Sequence, residues 1–365
     1  MALVKPFRAL RYDPAVAGPL DSLVSPPHDV IGAEERARLL ATSPYNAVRL
    51  VRPDDPRDAA RDLAAWREQG VLVRESHPAV WLLEEDFVGP DGVARTRRSL
   101  VGRVRTEPYE RGIVLPHERT FPSSKRTRLE LVRATRTKLS PVLLLHHGPG
   151  PDAPPSRRPD LEATLGGATA RLWRLDDAAV VEPIRPPLVI ADGHHRYETA
   201  LRFHEEEGTE ESGYVLAALV ADGDPGLTIF PTHRLVAGPV PDLDGGFSVR
   251  AIDGDPVAAL DELPGDRAGF VLLRPEGALL AHGEGGGLDT SVVDRLPLDV
   301  VRYTPSAAEA VAAVTSGDVA AAFLVRPPTV AQVEAAARAG ERMPEKSTYF
   351  FPKLMSGLLF APFDE

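Results

Sequence analysis

The segment Ala-Asp-Gly-His-His-Arg-Tyr at 191–197 carries the strongest chemical signal in the sequence. It joins an apolar stretch, which predicts a strand, to an amphipathic stretch, which predicts a helix. Backbone N–H groups in the first turn of a helix lack intrahelical partners and bind anions, phosphates above all. Gly193 would let the backbone approach such a ligand closely, and Arg196 would contact a phosphate through two N–H groups.

The other residues of this turn could take part in catalysis. Asp192, at the end of the predicted strand, could hold magnesium or accept a proton from a hydroxyl group. His194 and His195 add titratable groups to this turn, and His194 is a catalytic candidate. In the purely structural alternative, Asp192 caps the helix, the histidines are exposed and Arg196 pairs with Glu198. Three ionisable residue types at one turn favour the functional interpretation.

A second candidate, Pro-His-Glu-Arg-Thr at 116–120, lies in a basic segment. Residues 111–138 contain eight Lys or Arg and two acids, a net charge of 8 − 2 = +6, whereas the whole chain has a formal net charge of −11. Such a local reversal of sign is typical of an anion pocket or its rim. The alternative is a solvated basic helix face, which we favour for the residues after Arg128. The candidates from this segment are His117 and Arg119 for ligand binding and Glu118 for catalysis.

Two weaker candidates would contact a substrate. A His-Arg pair closes the predicted strand at 227–236 and could hold a phosphate or a carboxylate. The closing segment at 343–353 mixes lysines and hydroxyls with aromatic residues, but it does not contain the glycine pattern of a Walker phosphate loop. The substrate-binding candidates are His233, Arg234, Lys346, Ser347 and Thr348. No spacing of metal-binding residues is convincing, so the metal ligands stay open.

Composition excludes several classes of protein. The 365-residue chain has no cysteine, which excludes disulfides, thiolate nucleophiles and cysteine-bound metals. Its 53 acidic residues outnumber its 42 basic ones, which argues against a general nucleic-acid binder. No signal-peptide pattern and no apolar run of membrane-spanning length is present. We therefore expect a soluble, cytoplasmic protein with a small-molecule partner and neither nucleic acid nor membrane.

The elements that would position these residues mix helices and strands along the whole chain. An antiparallel hairpin is predicted from strands at 79–88 and 95–106. Helices are predicted at 33–41, 57–70, 128–139 and 194–208, and further strands at 141–147, 186–193 and 214–221. This mixture predicts an α+β fold with mixed sheets. The Pro/Gly-rich segment at 148–160 would separate an N-terminal part (1–147) from a C-terminal part (161–365).

Seven segments together resemble the bacterial and archaeal family named domain of unknown function 1015. In chain order they are KPFRALRYD, SPPHDVI, PYNAVRLVRP, LPHERT, ADGHHRYETAL, PTHRLV and MPEKSTYFFPKLMSGL, and they span nearly the whole chain. One departure is His28, where relatives usually have tyrosine. The family itself implies no activity.

The segment ADGHHRYETA also resembles the G-x-H-R box of the ParB/sulfiredoxin-like fold, including its free-serine kinases. That resemblance implies phosphate-binding roles for Gly193, His195 and Arg196 and a role in kinase chemistry for Asp192. Sulfiredoxin chemistry is excluded, because the chain has no cysteine. A partition-protein function conflicts with the acidic charge.

Two functional hypotheses follow. The first is a nucleotide-dependent phosphotransferase, most simply an ATP- and Mg²⁺-dependent kinase of a small hydroxylated metabolite such as free L-serine. The second is a non-catalytic, nucleotide-responsive binding or regulatory protein that uses the same pocket. A hydrolase using the histidines is a weaker third, because it would need a metal-ligand spacing that the sequence does not contain.

Overall fold

The structure is a computed structural model that describes residues 3–120, 122–243 and 246–363, with the backbone alone for residues 122–125. It divides into two compact units. Unit 1 comprises residues 1–89, 93–227 and 352–365, and unit 2 comprises residues 90–92 and 228–351. The segment at 148–160 lies inside unit 1, so the predicted division of the chain does not coincide with this one.

Strands and helices alternate irregularly along the chain. The strands are β1 (Val4–Lys5), β2 (Leu10–Tyr12), β3 (Leu72–Arg74), β4 (Val80–Val88), β5 (Ala94–Arg105), β6 (Val114–Leu115), β7 (Thr137–Lys138), β8 (Val142–His146), β9 (Leu161–Leu165), β10 (Ala168–Leu175), β11 (Leu188–Asp192), β12 (Tyr214–Ala221), β13 (Thr228–Phe230), β14 (His233–Val236), β15 (Ser248–Ile252), β16 (Gly269–Arg274), β17 (Gly277–His282), β18 (Val300–Thr304), β19 (Ala321–Leu324), β20 (Tyr349–Phe351) and β21 (Ala361–Pro362). The α-helices are α1 (Pro14–Ala17), α2 (Ala33–Thr42), α3 (Val48–Val51), α4 (Pro56–Glu68), α5 (Pro122–Thr135), α6 (His194–Glu207), α7 (Asp289–Val293), α8 (Ala307–Thr315) and α9 (Val330–Ala339).

Unit 1 is built on a mixed sheet of nine strands. Eight of them follow the order β6-β11-β8-β12-β5-β4-β10-β9, and β1 pairs with β5. The pairs β6–β11 and β8–β12 are parallel, and the others are antiparallel. Strand β12 is apolar and buried along its whole length, as expected of a strand covered on both faces. The mixed sheet confirms the predicted α+β class.

Unit 2 contains a six-stranded sheet in the order β15-β17-β16-β19-β14-β18. Every pairing in it is antiparallel. Successive residues of β16 alternate between two apolar clusters, with Val271 in one and Phe270 and Leu272 in the other. Because side chains of a strand point alternately to opposite faces, the sheet has a separate core on each face.

Most predicted elements are confirmed, and two differ from the prediction. The helix predicted at 128–139 begins earlier and ends at Thr135, where Arg136 has a φ of 46° and breaks the helical backbone. Lys138 instead belongs to β7, which pairs with β21 near the end of the chain. The strand predicted at 227–236 is two strands, β13 and β14, because Pro231 between them has no N–H group for a sheet.

A helix that crosses a bilayer needs about 20 predominantly apolar residues. None of the helices in the described ranges combines enough length with enough apolar character.

Candidate functional site

The predicted strand-turn-helix is present in unit 1. β11 ends at Asp192, and α6 begins at His194. Gly193 between them has a φ of +96°, a backbone conformation that side chains with a Cβ rarely adopt. A Cβ at this position would lie 3.0 Å from Cζ of Arg196. The helix cap is therefore Gly193 and not Asp192, and the turn permits Arg196 to pack directly against the backbone.

Asp192 is the centre of a buried ionic cluster. Its Oδ2 pairs with Nη2 of Arg196, and its Oδ1 pairs with Nζ of Lys353 from the C-terminal segment of unit 1. Arg196 also donates to the backbone carbonyl of Pro141. Burial acts to raise the pKa of Asp192, but the Lys353 and Arg196 cations outweigh it and hold the pKa below its usual value. Arg196 thus pairs with Asp192, and the predicted alternative partner Glu198 instead accepts from Thr120 at 2.7 Å.

A second carboxylate lies on a short helical turn at 28–30 that follows two prolines. Nδ1 of His28 lies 3.1 Å from Oδ1 of Asp29, and the Asp29 side chain is 44% exposed. Partial burial acts to raise the pKa of Asp29, whereas the His28 hydrogen bond and the charge of Arg196 hold it well below its usual value. Arg128 of α5 contacts the His28 ring. Burial, and then the charge of Arg196, lower the pKa of Arg128 to about 9.

The sequence analysis did not assign four residues of this cluster to the site: His28, Asp29, Arg128 and Lys353. The chain brings them to Asp192 and Arg196 from positions more than fifty residues away, and local patterns do not show such proximity. Two features of the sequence concern these residues. Arg128 belongs to the basic segment at 111–138, and the prolines before His28 forbid a long helix there.

Two of the predicted histidine candidates, His117 and His194, contact each other at the beginning of α6. His117 is completely buried, with its Nδ1 2.7 Å from the Ile190 carbonyl oxygen. Its backbone N–H donates to Nε2 of His194 at 3.3 Å, and the two rings meet edge to face with centroids 4.6 Å apart. These contacts fix the beginning of α6 against the segment that follows β6. His195 and Glu118 are half-buried, and Arg119 is exposed.

The basic segment after Arg128 is only in part the solvated helix face that the sequence predicts. Arg133 and Arg136 are partly exposed and pair with Glu206 and Glu207 on α6, at 2.7 and 2.9 Å. They form the solvated helix face expected after Arg128. Lys125 of the same segment has a side chain outside the described part. Lys138, by contrast, is buried.

The candidates His233, Arg234, Lys346, Ser347 and Thr348 all belong to unit 2. Arg234 is completely buried, pairs with Asp294 at 3.1 Å and donates to the Lys346 carbonyl at 3.4 Å. Ser347 is buried as well, and its hydroxyl donates to the Pro344 carbonyl at 2.7 Å. These bonds tie the turn at 344–347 to β14. The Arg234 donors are thus used for internal bonds, and the substrate contacts predicted for these five residues stay a prediction.

His233 makes the stability of unit 2 sensitive to acid. Burial, and then Arg234, lower its pKa from 6.5 to about 4. The unfolded chain therefore takes up a proton near pH 6.5 that the folded unit takes up only near pH 4. We expect the stability contributed by neutral His233 to be complete above pH 6.5 and to fall by about 3 kcal/mol as the pH drops to 4.

Urea unfolding of unit 2 at pH 7 and pH 4.5 measures this effect. His233→Asn keeps an acceptor for the Val325 N–H, which His233 Nδ1 binds at 3.2 Å, and should flatten the pH dependence. His77→Asn, at an exposed position, is the matched control and should leave it unchanged. If the free energy of unfolding changed equally between pH 7 and pH 4.5 in all three proteins, His233 would not be the group that titrates.

No group of three or more His, Asp or Glu side chains within the described residues converges as a metal site would require.

A search of curated proteins finds no significant match. Among solved structures, a free serine kinase in complex with AMP is similar at 16% identity and a TM-score of 0.40, covering 72% of this chain and 91% of that one. A conserved hypothetical protein from Pyrococcus furiosus matches at 16% identity and a TM-score of 0.37, covering 70% and 92%.

SbnI from Staphylococcus aureus, truncated at its C-terminus, is similar at 11% identity and a TM-score of 0.37, covering 72% of this chain and 87% of that one. Likenesses at this level assign no activity to the chain. The family comparison does identify the family of the chain. One family model, described as a protein of unknown function (DUF1015), matches residues 4–278. That span holds most of unit 1, including the turn at Asp192, and six of the seven segments quoted from the sequence, so the chain belongs to the DUF1015 family.

Proposed function

We propose that the chain is an ATP-dependent phosphotransferase that acts on the hydroxyl group of a small metabolite, with free L-serine as the first acceptor to test. The observation that carries the proposal is the ionic cluster at the beginning of α6. Three cations, Arg128, Arg196 and Lys353, gather there around the carboxylates of Asp29 and Asp192.

The donor phosphates would bind at the N-terminus of α6. Phosphoryl transfer needs chiefly positioning and neutralisation of charge, and this turn supplies both. Gly193 presents backbone without a side chain, and Arg196 and Lys353 supply positive charge. Asp192 holds these two cations in place, since each of its oxygens is paired with one of them. His194 and His195 complete the first turn of the helix.

Asp29 is the better candidate for the group that accepts the hydroxyl proton. Its carboxylate is partly exposed, whereas both oxygens of Asp192 are paired with cations. In the proposed step, the acceptor oxygen forms a bond to the γ-phosphorus and the bond from that phosphorus to the bridging oxygen of ADP breaks. The hydroxyl proton passes to Asp29. Glu118, half-buried after β6, is the alternative base.

Magnesium would enter with the nucleotide. Mg²⁺ is usually held by one or two carboxylates together with the substrate phosphates, so a set of three protein ligands is not required. The donor phosphates would supply most of its ligands, and the protein ligand stays open, because Asp29 is assigned to the hydroxyl proton. When bound, the ion neutralises charge on the phosphates.

The direct test incubates the purified chain with ATP, Mg²⁺ and L-serine and measures phosphoserine and ADP by mass spectrometry. We expect the two products in equal amounts. Asp29→Asn should lower turnover about 10²–10⁴-fold, the usual contribution of a general base, and should leave ATP binding intact. Asp54→Asn, at an exposed position that pairs with Arg36 at 2.8 Å, is the matched control.

If a panel of small hydroxylated acceptors yields no product while ATP binds, the kinase proposal fails. The second hypothesis, a nucleotide-responsive binding protein without turnover, would then gain support. It uses the same phosphate-binding turn and requires no group that accepts a proton. Thermal stabilisation by ATP, ADP, CTP or phosphoserine, without hydrolysis or transfer, would distinguish it.

A further inference from the structure

Lys138 is a buried cation that the proposed mechanism does not use. It lies in β7, is 6% exposed, and its Nζ has no hydrogen-bond partner among the described residues. The aromatic rings of Phe203 and Phe363 lie 5.5 and 4.6 Å from Nζ. Burial, and then the charge of Arg103, lower the pKa of Lys138 to about 7. An unpaired amine in such a position costs stability, so a leucine or methionine would serve the fold better.

Lys138 is one of the residues that line a small cavity beside the ionic cluster. The cavity has a volume of about 40 Å³, and its polar wall comprises His28, Arg128, Lys138, Ser140, Arg196 and Thr199. Arg128 also has an Nε without a hydrogen-bond partner among the described residues. Two residues that line this cavity therefore carry a buried, unpaired nitrogen donor, and no Asp or Glu is among its lining residues in the described part of the chain.

The size and chemistry of this cavity select the ligand. A single water needs about 10–15 Å³, so the space admits a group of a few atoms and no nucleotide base. The remaining wall is apolar, with Val51, Leu131 and Ala200 among its members. A carboxylate on a short carbon chain matches both parts, because its oxygens accept from the cations and its carbon atoms contact the apolar side.

We propose that this cavity is the subsite for the carboxylate of the phosphoryl acceptor, with Lys138 and Arg128 as its cationic donors. The inference rests on the proposed function, because it names the acceptor as a small hydroxylated carboxylate. Arg196 lines the cavity and also pairs with Asp192, so it connects the carboxylate subsite with the phosphate-binding turn. The acceptor would then extend from Lys138 towards the exposed carboxylate of Asp29.

Calorimetric titration of the full chain tests this subsite without requiring turnover. The probes are L-serine and serinol, which differ in that a hydroxymethyl group replaces the carboxylate, together with the second pair glycerate and glycerol. We expect each carboxylate to bind about 10–100-fold more tightly than its alcohol. Lys138→Met should remove most of this preference while leaving the binding of serinol unchanged. Lys5→Met is the matched control, because Lys5 pairs with Glu210 at 3.3 Å, is partly exposed and does not line the cavity.

The outcomes separate this inference from the proposed function. A carboxylate preference that depends on Lys138, without any phosphoryl transfer, would contradict the kinase proposal and support the subsite. Transfer to L-serine and serinol with equal KM, unaffected by Lys138→Met, would overturn the subsite and leave the kinase proposal intact. Displacement of L-serine by equimolar inorganic phosphate would show a general oxyanion site and would also overturn the carboxylate assignment. If Lys138→Met does not fold, the comparison of L-serine with serinol on the unmodified chain still decides.

Discussion

Asp192→Asn is expected to abolish phosphoryl transfer and to destabilise unit 1 at the same time. Asparagine keeps the shape of the side chain but removes the charge that pairs with Arg196 and Lys353. Removal of one partner of a buried ionic cluster leaves the others uncompensated and costs about 3–5 kcal/mol. Turnover should fall at least ~10²-fold, because the two cations that would bind the phosphates lose their positions. Chemical unfolding and a phosphoserine assay measure the two effects.

An aspartate of the same sheet serves as the control. Asp86 pairs with Arg171 and is 43% exposed, so Asp86→Asn should cost at most about 1 kcal/mol and leave transfer unchanged. Asp192 also has a depressed pKa, so its stabilising effect should be present above the unfolded pKa near 4 and lost as acid protonates the folded carboxylate. Equal stability of Asp192→Asn and the unmodified chain at pH 7 would show that the cluster contributes nothing to folding.

Arg97→Met should produce a comparably large loss of stability. Arg97 is completely buried and pairs with Glu85 at 2.6 Å. Burial raises the pKa of Glu85 in spite of this partner, and without the arginine its carboxyl group would be left in an apolar interior. We expect the free energy of unfolding to fall by about 3–5 kcal/mol. Arg97 also donates to the Pro352 carbonyl at 2.9 Å, so the variant should loosen the segment that brings Lys353 to Asp192.

Two further variants sharpen this test. Arg98 is the next residue of β5, pairs with Glu84 at 2.8 Å and is partly exposed, so Arg98→Met should cost about 1 kcal/mol or less. The double variant Glu85→Leu with Arg97→Met removes both charges and should recover most of the lost stability. If the single and double variants were equally unstable, the cost would come from packing around Arg97 and not from an unpaired Glu85.

Local structure was predictable wherever a single stretch of chain decides it. The strand, glycine turn and helix at 186–208 and the hairpin of β4 and β5 were identified correctly, because their periodicity and turn residues are contained in the sequence. The prediction of a helix at 128–139 was wrong at its C-terminal end, because residues distant in sequence decide the structure there. Lys138 belongs to β7, where it pairs with Ala361. This partner lies more than two hundred residues away, so no local pattern predicts the strand.

The candidate site shows the same limit. The sequence predicted Asp192, Gly193 and Arg196, which one turn supplies, but the partners that complete the cluster come from distant positions. Predicting an ion pair from residue types is also ambiguous, and the predicted alternative of Arg196 with Glu198 was wrong for that reason. A sequence motif also does not reveal how deeply a residue is buried, and His117 is an example. It lies completely buried against the Ile190 carbonyl, and its predicted contact with a ligand stays a prediction.

A crystal structure of the full chain with a non-hydrolysable ATP analogue and magnesium tests the central claim most directly. We predict phosphate density at the N-terminus of α6, within hydrogen-bond distance of the backbone N–H groups that follow Gly193 and of the side chains of Arg196 and Lys353. Phosphates bound elsewhere, with Asp192 still paired to both cations as before, would contradict the assignment of this turn as the nucleotide site.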